Sequence, residues 1–203
     1  MEKWLELVIE IQSIAQAGLE YTENVYDRER YERLRELSAE MINLKSDIPV
    51  EKVRKIFCNE NGYQTPKLDT RAAIFKDGKI LLVHEKNGTW AMPGGWCDVL
   101  QSIRSNTIKE VKEESGLDAI PKKLIAMHDK KQRNKRVDPY AITTAYVLCD
   151  AIGGSFKENS ETTEIGYFSL DELPVLAEEK NTKEQIAMCF EAAKNENWET
   201  QFD

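Results

Sequence analysis

Residues 93–119 have the sequence PGGWCDVLQSIRSNTIKEVKEESGLDA, and they decide the fold of most of the chain. The stretch opens with a diglycine turn and continues into a predicted helix that carries Glu110, Glu113 and Glu114. These glutamates are spaced i, i+3 and i+4, so their side chains share one face of an α-helix. Like charges at this spacing cost roughly 0.2–0.5 kcal/mol per pair. The helix therefore needs a partner that neutralises its acidic face.

A divalent cation would remove this repulsion, because Mg²⁺ and Mn²⁺ prefer several carboxylate oxygens as ligands. Without side chains, Gly94 and Gly95 let the backbone approach both a metal and a phosphate closely, and a carbonyl there is a further candidate ligand. The alternative is an exposed acidic face that Lys109 and Lys112 neutralise. Taken alone, the glutamates favour an exposed acidic face. The surrounding sequence favours metal binding instead.

The stretch resembles the Nudix box, the signature of the Nudix hydrolase family. That pattern has a glycine, a glutamate six residues later, an Arg-Glu pair, an aliphatic residue, two adjacent glutamates, a second glycine and a second aliphatic residue. This sequence departs from it at Gln101, where the pattern has glutamate, and at Lys109, where it has arginine. The matching positions are Gly95, Glu110, Val111, Glu113, Glu114, Gly116 and Leu117.

The resemblance implies that Glu110, Glu113 and Glu114 bind Mg²⁺ or Mn²⁺ and that the Gly95 carbonyl is a further ligand. It also implies a reaction, which is attack on a pyrophosphate by a metal-activated water at the Gly94-Gly95 turn. The two departures replace a possible ion pair with side chains that still form hydrogen bonds. We therefore expect them to affect catalytic efficiency more than metal binding.

One glutamate must act as the general base in this reaction. Glu110 is a candidate within the box. Glu161 and Glu164 are candidates in the loop that follows Asn159, because the family often supplies a further acid from that region. The alternative for these two residues is an exposed loop before a strand. We assign Glu164 to the catalytic set together with the three glutamates of the box.

Two domains are predicted, a small helical domain over residues 1–65 and a Nudix domain over residues 66–203. Apolar residues recur at three- and four-residue steps before residue 62, which predicts three helices, the last ending at Asn61-Gly62. The Nudix resemblance implies an α+β fold, an α/β/α sandwich around a mixed sheet. The predicted strands span residues 70–75, 80–83, 122–128, 143–149 and 165–168, with a turn at 153–154 and a helix over 182–194.

The N-terminal helices resemble those of a bacterial Nudix subgroup. That resemblance rests on the length of the domain, the junction at residues 63–67 and the segment 182–186. The subgroup is associated with hydrolysis of nucleoside diphosphates linked to another group, including CDP-choline and ADP-ribose. The apolar stripes of the helices also indicate a homodimer. The rival interpretations are a catalytically weakened nucleotide-binding module and an enzyme that processes RNA ends.

Composition limits the other classes of protein. The chain has 203 residues, a formal net charge of −8 and 32% charged residues, which is typical of a globular protein. It has no apolar stretch long enough to span a membrane and no signal peptide, so we expect a cytoplasmic protein. Its four cysteines form no Cys-x-x-Cys pair and it has two histidines, which argues against zinc. The acidic balance does not favour RNA as the partner.

Three further features are candidates for substrate binding. Arg71 begins a predicted strand, where it can contact a phosphate or form an ion pair with Asp69. Tyr140 can stack on a nucleobase. The basic segment 130–136 has five Lys or Arg residues and predicts an exposed hairpin loop, or a flap over a phosphate-rich ligand. Trp90 is expected to pack in the core rather than on a base.

Overall fold

The computed structural model describes residues 3–134 and 141–203. Residues 3–66 form one compact unit, and residues 67–134 and 142–203 form the other. The four cysteines are free thiols and form no disulfide. In the part of the chain that is described, no helix is both long enough and apolar enough to cross a bilayer.

The first unit has three helices, α1 (Lys3–Tyr21), α2 (Val25–Lys45) and α3 (Val50–Phe57). The side chain of Asn24 accepts hydrogen bonds from the first backbone N–H groups of α2, which explains why that helix begins where it does. The helices bury a small core against one another, and it consists of Val8, Ala39, Val53 and Phe57.

The third helix ends at Phe57, earlier than the predicted end at Asn61-Gly62. The reason lies in the tertiary structure. The guanidinium of Arg35, on α2, donates hydrogen bonds to the carbonyl oxygens of Cys58 and Glu60. These two carbonyl oxygens accept hydrogen bonds from a side chain, and residues 58–60 are not helical. The residues after Phe57 leave the helix and continue as an irregular segment.

The second unit combines seven strands with α-helices, counted over the described residues. The strands form a mixed sheet in the order β3-β2-β1-β5-β4-β7, with β6 paired to β2. Strand β1 is parallel to β5 and antiparallel to β2. The strands are β1 (Lys67–Lys76), β2 (Lys79–Glu85), β3 (Trp90–Ala91), β4 (Leu117–Asp129), β5 (Ile142–Gly154), β6 (Thr162–Phe168) and β7 (Gln201–Phe202). The helices are α4 (Ile103–Ser115), α5 (Lys130–Arg133) and α6 (Lys183–Lys194), with a short 3₁₀ helix at Leu170–Glu172.

Alternation along β1 places one helix on each face of the sheet. Ile74 belongs to the apolar cluster that contains Val111 of α4. The next residue, Phe75, packs edge-to-face against Phe190 of α6, with ring centroids 4.9 Å apart. Successive side chains of a strand point to opposite faces, so a sheet with helices on both sides buries both sets. The predicted α/β/α sandwich, preceded by a helical segment, is confirmed.

Some predicted boundaries differ from the structure. The turn predicted at Gly153-Gly154 is wrong, because β5 continues through both glycines and pairs Gly154 with Leu117 of β4. Three irregularities in the pairing of β4 with β5 interrupt the side-chain alternation, and this hides the full length of the strands from a periodicity argument. The short elements α5 and β7 were not predicted at all.

Candidate active site

Helix α4 carries the predicted metal-binding glutamates. Its start is fixed by a capping box between Ser102 and Ser105, and its end by Gly116 in the left-handed conformation. The glutamates differ strongly in exposure. Glu110 and Glu114 are buried, with 8% and 7% of their surface exposed, whereas 58% of the Glu113 side chain is exposed.

The diglycine turn lies directly against the two buried glutamates. The backbone N–H of Gly94 donates a hydrogen bond to Oε2 of Glu114 over 2.8 Å. Gly94 has a φ of +149°, and a Cβ at this position would lie 1.8 Å from the carbonyl oxygen of Thr70. A Cβ on Gly95 would lie 2.8 Å from Oε2 of Glu110. Only glycine at both positions allows the backbone and the carboxylates to approach this closely.

Strand β1 holds the turn in place through backbone hydrogen bonds. The N–H of Ala72 donates to the carbonyl of Pro93 over 2.8 Å, and the N–H of Thr70 donates to the carbonyl of Gly95 over 2.9 Å. The Gly95 carbonyl, predicted as a metal ligand, therefore already accepts one hydrogen bond. Its second lone pair is still available to a cation.

A buried ion pair lies beneath the turn. Arg71 and Asp69 have only 5% and 4% of their side chains exposed, and Nη2 of Arg71 lies 2.9 Å from Oδ1 of Asp69. Nε of Arg71 donates to the other carboxylate oxygen over 3.1 Å, and Nη1 donates to the carbonyl of Met92. This is the ion pair with Asp69 that was predicted as the alternative to a contact with a substrate phosphate, and it is buried rather than on the surface. Because its guanidinium is buried and already paired, Arg71 supports the residues that precede the diglycine.

Lys109 contacts three acidic residues, of which Glu113 and Asp98 are exposed and Glu110 is buried. Its Nζ is 3.0 Å from Oε1 of Glu110, 3.0 Å from Oε2 of Glu113 and 3.3 Å from Oδ2 of Asp98. Hydrogen bonds to Glu113 and Glu110 raise the pKa of the lysine, so it stays charged. Asp98 was missed by sequence reasoning. It supplies an acid to Lys109 from the same loop in which the Nudix pattern has its glutamate, at the position of Gln101.

The loop after β5 is tied to the last turn of α4. The side chain of Asn159 donates to the carbonyl of Glu113 over 3.0 Å, and the hydroxyl of Thr162 donates to the carbonyl of Glu114 over 2.7 Å. The last carbonyls of a helix lack helical partners, so these two bonds satisfy them. Glu161 lies between the two anchor residues in sequence and lines the same cavity as Glu114.

Both Glu161 and Glu164 are exposed, but Glu164 lies on β6 opposite His84 and is not one of the residues that line this cavity. The placement therefore favours Glu161 over Glu164 as a residue of the site. Tyr140 lies outside the described residues, as do residues 135 and 136 of the predicted basic flap. Trp90 packs against Phe168, with ring centroids 4.9 Å apart, which agrees with the expected packing role.

Burial changes the acidity of the two inner glutamates. It raises the pKa of Glu114 to about 7, although Arg71 and the Gly94 N–H favour the charged form. Burial also raises the pKa of Glu110, against the opposing effect of Lys109. Both shifts have the same physical cause, which is the cost of removing a carboxylate from water. A nearby cation would lower both pKa values.

The oxygen atoms at the diglycine turn suit a hard divalent cation. Two buried carboxylates and a glycine carbonyl converge at the turn, and all of their donor atoms are oxygens, as Mg²⁺ and Mn²⁺ prefer. Within residues 3–134 and 141–203, no three acidic, histidine or cysteine side chains are arranged so that they could already hold a metal ion together. The third glutamate, Glu113, contacts Lys109 instead. The inner pair fits such a cation, and Glu113 would have to leave the lysine to join it.

The fold and this site define a class of protein, an α/β/α sandwich with an acidic helix facing a diglycine turn. Two family models match the sequence: a NUDIX domain over residues 66–189 and a "UDP-X-like, N-terminal oligomerisation domain" over residues 2–57. The chain belongs to the Nudix hydrolase family. Hydrolases of this family generally use divalent metal ions.

Individual relatives agree with this assignment. A Bacillus subtilis (strain 168) protein provisionally named ADP-ribose pyrophosphatase YjhB is 40% identical over 99% of this chain and 97% of its own length. The crystal structure of an ADP-ribose pyrophosphatase from Streptococcus suis 89-1591 is 55% identical, covers 68% of this chain and 100% of its own, and has a TM-score of 0.65. The structure of a UDP-X diphosphatase is 35% identical, covers 98% of this chain and 96% of its own, and has the same TM-score.

Proposed function

We propose that this Nudix hydrolase cleaves the pyrophosphate bond of a nucleoside diphosphate linked to a second group, in a reaction that depends on Mg²⁺ or Mn²⁺. The products are a nucleoside monophosphate and a phosphorylated second group. The observation that carries the proposal is the contact of the two buried carboxylates, Glu110 and Glu114, with the diglycine backbone. A cavity of about 360 Å³ beside Glu114 gives room for part of a substrate.

The residues of the chain divide the work of this reaction. Glu110, Glu113, Glu114 and the Gly95 carbonyl hold the metal, which supplies positive charge for the phosphates and acidifies a water molecule when it is bound. Glu161 accepts the proton of the attacking water, in preference to Glu164. The water oxygen forms a bond to phosphorus, and the bond from that phosphorus to the bridging oxygen breaks. The Asn159 and Thr162 anchors keep Glu161 in position while this happens.

ADP-ribose is the first substrate to test, because two relatives carry that name, and a UDP-linked sugar and CDP-choline come next. Each compound is incubated with the protein in Mg²⁺ or Mn²⁺, and alkaline phosphatase converts the phosphomonoester products to inorganic phosphate. We expect turnover of at least one compound with wild-type protein and none without metal. If no compound is hydrolysed while nucleotide still binds tightly, the chain is a binding module and the proposal fails.

We also propose that the chain forms a homodimer through its N-terminal helices. Leu7 and Ile14 lie seven residues apart on α1, so they share a face, and they are 46% and 56% exposed. The match of residues 2–57 to an oligomerisation domain supports this role. Light scattering should give twice the chain mass for the wild type and the chain mass for a Leu7→Glu, Ile14→Glu double variant. A monomeric wild type would contradict the proposal.

A further inference from the structure

The cavity beside Glu114 contains charged residues that the proposed reaction does not use. Three of its acids are Glu85, Glu114 and Glu161, and a substrate that carries phosphates must enter beside them. Its two cationic side chains are therefore candidates for binding those phosphates, and they are Lys86 and Lys180. Of these, Lys180 has a defined partner and a fixed backbone.

The ammonium group of Lys180 is held at the cavity by Glu85. Nζ of Lys180 lies 2.5 Å from Oε1 of Glu85, and the two side chains are 33% and 14% exposed. The carboxylate is thus the more buried partner, and the lysine is the more accessible one. A phosphate oxygen that enters the cavity can compete with Glu85 for the lysine, because both are anionic acceptors of charge-assisted hydrogen bonds.

The backbone segment that carries Lys180 is hydrogen-bonded to the strand that leads into the diglycine turn. The N–H of Met92 donates to the side chain of Asn181 over 2.9 Å. The N–H of Ala177 donates to the carbonyl of Trp90, also over 2.9 Å. Two points of attachment therefore fix the segment 177–181 relative to β3. The backbone of Lys180 is thus fixed relative to the strand that precedes the diglycine. Binding of a ligand by Lys180 therefore costs only the conformational entropy of its side chain.

We propose that Lys180 binds a phosphate oxygen of the pyrophosphate substrate and that Glu85 holds this lysine in place until the substrate enters. The assignment rests on the proposed function, since it concerns the same cavity. It adds a cationic contact outside the Nudix box, on a segment that no motif identifies. Lys180 is a binding residue in this scheme, and Glu85 is its partner in the absence of substrate, which the incoming phosphate displaces.

The rival explanation is that Lys180 and Glu85 form a purely structural ion pair. The two explanations predict different effects on substrate binding when Glu85 is removed. If Lys180 and Glu85 only stabilise each other, removing either partner should have the same consequence. If Lys180 binds phosphate, removing Glu85 frees the lysine and removes a competitor, whereas removing Lys180 loses a contact to the substrate. The pair of variants therefore separates the two explanations.

The test compares Lys180→Met with Glu85→Gln, using the full chain and the best substrate of the panel. For Lys180→Met we expect KM to rise about tenfold or more while kcat changes little, since a charge-assisted hydrogen bond to the ground state is lost. For Glu85→Gln we expect a KM no higher than that of the wild type. Lys180→Arg should recover most of the loss. Equal losses in Lys180→Met and Glu85→Gln, or an unchanged KM in Lys180→Met, would overturn the proposal.

The matched control is Lys183→Met, which removes an exposed lysine three residues away that does not line the cavity, and its KM should equal that of the wild type. A separate measurement covers the case in which the wild type hydrolyses nothing, so that the proposed function itself has failed. Calorimetry with inorganic pyrophosphate and Mg²⁺ then decides the role of Lys180. Weaker binding by Lys180→Met than by Lys183→Met supports it, and equal binding refutes it.

Discussion

The inner and outer parts of the acidic face of α4 carry the same residue type in different surroundings. Glu114, on the inner part, is buried against the Gly94 N–H and close to the Asp69–Arg71 pair. Glu113, on the outer part, is exposed and contacts Lys109. Two adjacent glutamates of one motif therefore differ in burial and in partner.

This difference shows how the motif combines precision with access. The inner glutamate is held by partners that are themselves buried, so its position is fixed before any ligand binds. The outer glutamate is held by a flexible lysine in water, where an ion pair contributes little. We expect substitutions on the inner part to affect stability and catalysis strongly, and those on the outer part to have small effects. Four predictions test this contrast.

The largest effect is expected at Arg71. Its replacement by methionine leaves the Asp69 carboxylate buried without its cation, which costs about 3–5 kcal/mol of unfolding free energy. Urea denaturation should show this loss. The control is Arg30→Met, which removes an exposed ion pair to Asp27 and should cost at most about 1 kcal/mol. Similar losses in the two variants would show that the inner pair does not stabilise the turn.

The second effect compares Glu114→Gln with Glu113→Gln. Metal-ion catalysis is worth several kcal/mol, so we expect kcat/KM to fall by at least about 100-fold in Glu114→Gln, and by clearly less in Glu113→Gln. Added Mg²⁺ should raise the melting temperature of the wild type and of Glu113→Gln more than that of Glu114→Gln. An equal loss of activity in both variants would show that the inner and outer glutamates contribute alike.

The third effect concerns the spacing between the turn and the helix. In Gly95→Ala the new Cβ would lie 2.8 Å from Oε2 of Glu110, so the carboxylate must move by a few tenths of an ångström. We expect roughly a tenfold loss of kcat/KM, because a small misplacement of a catalytic group is costly, with little change in unfolding free energy. Wild-type activity in this variant would mean that the approach of Glu110 to the backbone is not required.

The smallest effect is expected at Asp98, which lies in the loop before α4 and contacts Lys109 on the outer side of the site. Asp98→Asn removes one of three acidic contacts of Lys109, and the pair is exposed, so activity should fall by no more than about two- to threefold. Steady-state kinetics measure this directly. A loss of tenfold or more would show that Asp98 takes the place of the pattern's glutamate, replaced here by Gln101, as the ion-pair partner of residue 109.

Much of the fold could be predicted because its signals are local. The apolar run over residues 72–75 of β1 and the box from Gly95 to Leu117 each lie within one short segment, and they indicate a strand and a turn–helix unit directly. The predictions were wrong where a distant contact decides the outcome. Arg35 ends α3 at Phe57, and the pairing of Leu117 with Gly154 extends β5 through two glycines.

The sequence indicated which acids to consider at the site, and it indicated little of what supports them. The candidate ligands on α4 were chosen from their helical spacing together with the resemblance to the Nudix box, and their role stays a prediction. The burial of Arg71 and the contact of Asp98 with Lys109 were not predicted, although an acid in the loop eleven residues before the lysine was a usable signal. The choice between Glu161 and Glu164 depends on the anchors Asn159 and Thr162, and a sequence pattern does not show to which carbonyls they bond.

The sequence by itself determined that a diglycine turn precedes a helix with three acids on one face, because helical periodicity and the conformational freedom of glycine act over neighbouring residues. Only the tertiary structure decided which of those acids is buried, which partner each one contacts, and that Lys180 lies at the same cavity as Glu114. These properties depend on segments distant in the chain that the sheet brings together. Burial and electrostatic interaction depend on distance in space, and the separation of two residues along the chain does not determine that distance.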